Sequence, residues 1–220
     1  VNFFGQFDRR SAGLFRDRHN HGRLAVRGSA WFRHEGGWVD RVDYHDGALI
    51  DAEANRADMF AVRLALKWAA TDRLTITPSI DVQQRRENDT DGWWEALSDP
   101  GAGRFVNANP VRLPNDDRFA LGAVKAVYEA DGFRVISNTS YFDRVQDTAY
   151  DGSIYTLSFL QQSTARPLLR ARRLAVPLAD YAAPAPIRNS QGDFAQEARI
   201  QSTAPDARWR WSAGVFWARN

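Results

Sequence analysis

The stretch "FAVRLALKWAATDRLTITPSIDVQQR", Phe60–Arg85, decides how this chain folds. Read in steps of two, Phe60, Val62, Leu64, Leu66 and Trp68 fall on one side, with Arg63 and Lys67 on the other. After the short joint "AATDR" (Ala69–Arg73) the alternation resumes. Leu74, Ile76, Ile80 and Val82 then oppose Thr75, Thr77, Ser79, Asp81, Gln83 and Arg85. Successive side chains of a strand point to opposite faces, so a period of two is a strand signal. A helix fits Leu74–Val82 poorly, because β-branched residues dominate it and Pro78 stands in the middle. The stretch reads as two antiparallel strands joined by a short turn, each with one apolar and one polar face, although Met59–Ala69 is the weaker half and could also pass for a helix.

The same pattern recurs outward from this hairpin. "RLAVRGSAWF" sets Leu24, Val26, Ala30 and Phe32 against Arg23, Arg27, Ser29 and Trp31, and "DFAQEARIQS" sets Phe194, Ala198 and Ile200 against Glu197, Arg199 and Gln201. In "RWRWSAGVFWARN" (Arg208–Asn220), Trp209, Trp211, Ala213, Val215 and Trp217 share a side. That alternation meets no breaker before Asn220, which raises the expectation of a cut end. "RFALGAVKAVYE" and "FRVISNTSYFDR" are strand-like, but their faces stay unassigned. Residues 1–18 hold a possible first hairpin.

The connections alternate in length. Short joints occur at Ala69–Arg73, Glu129–Phe133 and Thr203–Arg208, while long polar stretches span about Glu35–Arg56, Glu87–Asp117 and Val145–Gly192. Several long loops in one compact soluble domain are uncommon. Outer-membrane barrels combine short periplasmic turns with long extracellular loops. Aromatic placement agrees: Trp68 and Tyr128 precede short joints and Phe133 and Trp209 follow them, while Phe60, Phe119, Tyr141, Phe142 and Phe194 cluster at the opposite strand ends. Two such rings match the girdles of a membrane barrel. Roughly ten residues at ~3.3 Å rise and ~45° tilt span about 23 Å, close to the ~25 Å apolar band. A soluble β-sandwich or propeller also alternates and stays open at this point.

Composition narrows the function classes. The chain has 29 basic and 27 acidic side chains, a balance that does not argue for nucleic acid. Lys67 and Lys125 are the only lysines, so the base count is mainly Arg, whose planar fork suits carboxylate or phosphate. A genomic codon bias toward Arg and Ala is the plainer account of this. There are no cysteines, hence no disulfide or thiolate metal site. Val1 opens without a basic or apolar leader, and no run approaches the ~18 apolar residues of a membrane helix.

Several words resemble the TonB-dependent outer-membrane receptors. "RLAVRGSAWFRHEGGWVDR" is similar to an early barrel strand of that family and the start of its loop. "RLALKWAATDRLTITPSIDVQQR" is similar to its down-strand, periplasmic turn and up-strand. "GFRVISNTSYFDR" resembles a later up-strand, and "FAQEARIQS" followed by "RWRWSAGVFWARN" resembles a further hairpin. The words are spread from about residue 22 to the end. The resemblance implies an all-β fold, an antiparallel up-and-down transmembrane β-barrel segment within outer-membrane lipid. It implies one partial barrel domain over residues 1–220, incomplete at its C-terminus and without a plug domain. By the same resemblance, the full-length receptor takes up a scarce small-molecule ligand of ferric siderophore, cobalamin or saccharide type. A plug domain and the TonB complex are its partners, and the location is the Gram-negative outer membrane. A passive porin-like barrel and a soluble carbohydrate-binding β-protein are the alternatives.

Catalytic chemistry finds no support: there is no G-x-S-x-G elbow, P-loop or H-E-x-x-H. Neither a catalytic residue, a metal site nor a cofactor is expected. His19 and His21 lack a third ligand nearby in sequence, and Asp89 and Asp91 before Gly92 lack the glutamate that completes a calcium loop. Arg63, Lys67, Asp81, Gln83, Arg85, Glu197, Arg199 and Gln201 are the side chains expected to face a barrel lumen, pairing with one another and with a plug. Trp93 and Trp94 stand in a long polar loop and are candidates for ligand contact, with loop packing as the plainer role.

Overall fold

A computed structural model of the chain describes residues 9–19, 23–153, 155–156, 181–204, 206 and 208–220. β1 (Arg9–His19) and β2 (Leu24–Glu35) are followed by the short β3 (Val39–Val42) and β4 (Leu49–Asp51). Next come β5 (Ala57–Ala69), β6 (Leu74–Glu87), the short β7 (Phe105–Asn107), β8 (Asn115–Ala130), β9 (Phe133–Asp151), β10 (Pro184–Ser202) and β11 (Ser212–Arg219). The longer strands form one 8-stranded antiparallel sheet in the order β1-β2-β5-β6-β8-β9-β10-β11. It is an up-and-down meander, in which every strand pairs with its neighbour in the chain once the short strands are set aside.

The fold is all-β, and among the described residues the sheet does not close: β1 and β11 each pair on one side only. Of residues 1–18, where the sequence holds a possible first hairpin, residues 1–8 lie outside the described residues. Residues 9–18 belong to β1, which pairs with β2 from His19↔Ala25 to Arg9↔Glu35.

The turns at one end follow from local chemistry. Between β5 and β6, Thr71 Oγ1 accepts from the amides of Arg73 (3.2 Å) and Leu74 (3.0 Å). Between β8 and β9 only Asp131 and Gly132 intervene, and Gly132 takes φ of 84°. That left-handed value is what the second central residue of a type II turn requires, and glycine reaches it without a Cβ clash. The third joint is longer than its sequence suggests. β11 begins at Ser212, so Trp209 and Trp211 lie in the connection, where Trp211 N donates to Ser202 Oγ at 3.0 Å.

Pro78 is accommodated by a gap. The β5–β6 ladder runs from Ala57↔Glu87 to Ala65↔Ser79 and resumes at Trp68↔Ile76, while Pro78 keeps its place opposite Val124 of β8. Proline has no N–H for the ladder, so the β5 side yields there.

The register fixes the faces that the sequence left open in β8 and β9. One face carries the rung Ala30, Val62, Val82, Ala120 and the rung Leu24, Trp68, Ile76, Ala126. Its residues are exposed: Leu24 45%, Leu64 49%, Ile80 45% and Val124 44%. The opposite face is polar and more sheltered. Phe119 and Phe142 belong to it, against the girdle position expected for them, and pack together at 5.5 Å. The apolar face turns polar at β9–β10, where Ser137, Thr139 and Gln196 bond one another: Gln196 Nε2 donates to Ser137 Oγ at 2.9 Å and Thr139 Oγ1 to Gln196 Oε1 at 2.5 Å.

Where they are described, the long connections carry regular structure. β8, β9 and β10 run well into them, and β3, β4 and β7 form a second sheet in the order β4-β3-β7. β3 pairs in parallel with β7, Val39↔Phe105 to Arg41↔Asn107, joining connection 36–56 to connection 88–114. Most of the buried apolar residues sit in this layer: Val39 0%, Ala54 1%, Val106 7% and Ala108 1% exposed. Among the large-sheet residues whose side chains are described, only Ala57 (7%) and Ile136 (5%) are comparably buried. The chain exposes 15944 Å², against about 10,000 Å² for a compact monomer of its mass. Among the described residues no second layer covers the apolar face of the large sheet.

Candidate functional site

The polar face and the loop layer meet at the end of the sheet where the long connections lie. There the rung Glu35, Ala57, Glu87, Asn115, Thr148 crosses five strands. The next rung inward is Arg33, Met59, Arg85, Asp117, Gln146. The first of these rungs and Arg85 and Gln146 of the second, together with Trp38, Asn55 and Asp89–Asp91 from the connections, border a polar cavity of about 450 Å³.

The period of two explains why charged groups gather here, since every second residue of each strand must face this side. Within a strand, Arg33 pairs with Glu35, and Arg85 Nη2 lies 2.5 Å from Glu87 Oε1. Across strands, Asn115 Nδ2 donates to Glu87 Oε2 at 2.7 Å and Gln146 Nε2 to Asn115 Oδ1 at 2.9 Å. Arg144 clamps Asp117 with two donors, at 2.8 and 2.6 Å.

The cavity wall is held by buried polar contacts. Asp89, 4% exposed, accepts from the amides of Thr90 (2.8 Å) and Leu113 (2.9 Å). Arg41 Nε lies 3.7 Å from its other oxygen, and Arg41 Nη2 donates to the carbonyls of Asn109 (3.3 Å) and Pro110 (3.1 Å). Asn107, 2% exposed, donates to Gly92 O at 3.0 Å and accepts from Asn109 N at 2.7 Å. On the outer side of the layer, Asp51 accepts from Arg56 (2.9 Å) and Asn88 (3.0 Å). These two donors, the Arg56 hydrogen bond first, hold its carboxyl below the usual carboxylate range against the opposing effect of desolvation.

The sequence-derived residues fall as follows. Arg63, Lys67, Asp81, Gln83, Arg85, Glu197, Arg199 and Gln201 all occupy the polar face by register. Arg63 Nε contacts Asp81 Oδ1 at 3.2 Å, whereas Glu197, Arg199 and Gln201 stand on β10, away from the cavity; Glu197 accepts from Asn138 at 3.1 Å. Of the eight, Arg85 alone borders the cavity. Trp94 donates to Asn109 Oδ1 at 3.0 Å and stacks edge-on to Tyr44, while Trp93 packs on Phe105 at 5.4 Å. The structure gives both a packing role, with Trp93 still 37% exposed. Trp38, which lines the cavity, went unnoticed in the sequence, as did Glu35, Glu87 and Asn115. The signal for the last three was the extension of the period-two pattern into the polar connections, and Trp38, outside any strand, had none.

Asp89 is spent inside the loop layer, and among the described residues no cluster of three or more His, Asp or Glu could hold a metal ion. His21 lies outside the described residues, and His19 outside those whose side chains are described. Among the described residues no helix is long and apolar enough to cross a membrane, which says nothing of crossing by strands. No protein-family model matches the chain, and no curated protein matches it in sequence.

Proposed function

We propose that the chain is part of the wall of a Gram-negative outer-membrane β-barrel of the TonB-dependent receptor kind, serving energised uptake of a scarce small molecule. The observation that carries this is the uncovered apolar face. A soluble sandwich would bury that face against a second sheet, yet here Leu24, Val26, Phe32, Phe60, Leu64 and Val124 stay 44–50% exposed. Hydrocarbon is the surrounding that makes such a face favourable. From Phe60 to Trp68 the face runs about 26 Å along β5 at ~3.3 Å per residue, enough for a tilted strand to cross most of an outer membrane.

Three features support the reading. Short joints gather at one end and long, folded connections at the other, as in membrane barrels. Trp68, Tyr128 and Phe133 stand by the short joints, and Phe32, Phe60, Tyr141 and Phe194 nearer the long ones, on the same face. The polar side chains of that face at Ser137, Thr139 and Gln196 bond each other, which their surroundings in lipid would demand. The plug, the TonB coupling and the ligand follow from the resemblance of the strand words to this family.

The test is expression of the full reading frame in a Gram-negative host. A heat-modifiable protein in the outer-membrane fraction is expected, with ligand uptake abolished by a protonophore. Uptake that survives the protonophore would replace the receptor with a passive pore, and a protein soluble without detergent would remove the membrane reading altogether.

A further inference from the structure

The cavity over the polar face has a chemistry of its own, and reading its ligand class rests on the receptor proposal above. Its floor is one rung of the sheet with Arg85 and Gln146 of the next, and its wall is the loop layer, so its shape is set by rigid elements. At about 450 Å³ it falls within the ~300–1,000 Å³ of small-molecule sites.

The guanidinium groups around it are committed. Arg85 is held by Glu87, Arg33 by Glu35 and Arg144 by Asp117, while Arg41, which stands outside the cavity lining, faces Asp89 at 3.7 Å and gives its Nη2 to two backbone carbonyls. Asp91 adds a further carboxylate to the lining. An anion entering here would have to take an arginine from its carboxylate and leave that carboxylate unpaired, a costly exchange in a sheltered site. What the cavity offers freely is neutral hydrogen bonding. Each carboxylate oxygen and amide carbonyl can accept more than one hydrogen bond, so Glu87, Asn115 and Gln146 retain lone pairs after their mutual contacts. Those lone pairs suit hydroxyl donors, and the Trp38 indole on the wall provides an apolar surface for C–H groups.

We infer that this cavity binds an uncharged, hydroxyl-rich ligand, a neutral oligosaccharide in class, and rejects anionic chelates. The test applies detergent-solubilised full-length protein to an array of neutral and acidic oligosaccharides, with ferric citrate titrated in parallel. Neutral glycans are expected to bind at least tenfold tighter than acidic glycans or ferric citrate. Glu87→Gln, which keeps shape and removes charge, and Asn115→Ala should each weaken the best neutral glycan tenfold or more. A thermal melt that matches the parent for Glu87→Gln separates this from misfolding. Absence of neutral-glycan binding, or ferric citrate binding that Glu87→Gln leaves unchanged, overturns the inference. Ferric citrate bound and taken up in an energised manner sinks this inference alone, whereas a neutral glycan bound but taken up passively sinks the receptor proposal alone.

Discussion

Arg41 and Asp89 show how much of the loop layer depends on single contacts. Asp89 is almost wholly buried, and among the described residues Arg41 is the one cation paired with it. Arg41→Met should destabilise the layer by about 3 kcal/mol, because a buried carboxylate loses its counter-charge. Adding Asp89→Asn should recover most of that loss, since the amide oxygen still accepts from Thr90 and Leu113. Amide exchange across residues 88–114 would read both steps. Asp51 gives a pH signature. Its carboxyl is held below the usual range in the folded chain by Arg56 and Asn88. Its contribution is therefore fully present above the ordinary carboxylate pKa and is lost as pH falls through the depressed folded value. Protection of the Asn88 amide, which donates to Arg56 O at 2.9 Å, should decline across that acid window. In Asp51→Asn the decline should flatten; an unchanged profile would assign it to another group.

At the scale of the element, the two faces of one strand make opposite predictions. Val124 lies on the apolar face and Ala123 on the polar one, one residue apart in β8. Val124→Arg should cost about 2–4 kcal/mol of barrel stability in a bilayer and reduce assembled protein, while Ala123→Arg should assemble near normally. Heat-modifiable mobility of the full-length protein measures this, and equal loss from both variants would count against lipid contact. The elements themselves were legible where period two was undiluted. Phe60–Trp68 and Leu74–Val82 keep large apolar groups on one side only, so their faces could be read directly. In β8 the apolar side carries Ala120 and Gly122 while Phe119 and Leu121 lie opposite, which inverts the size contrast and hides the face. β3 and β7 were illegible for a different reason. They are short, and their parallel pairing joins residues distant in the chain, which no local pattern encodes. The cavity inherits that limit: its floor follows from extending the alternation, but its wall depends on tertiary pairing.

For the whole molecule, an uncovered apolar face and two open strand edges set solution behaviour. Both are templates for association. The 220-residue chain made without detergent should sediment as large species, and detergent should disperse it to small ones. Monodisperse monomer in plain buffer would contradict the exposure described for Leu64 and Val124. The parallel ladder between β3 and β7 reaches further than stability. It makes two connections that are separate in the gene into one inherited cassette. Ligand preference at the cavity mouth could then change by exchanging residues 36–56 together with 88–114, but hardly by altering either alone, so the lineage would be expected to diversify them in step.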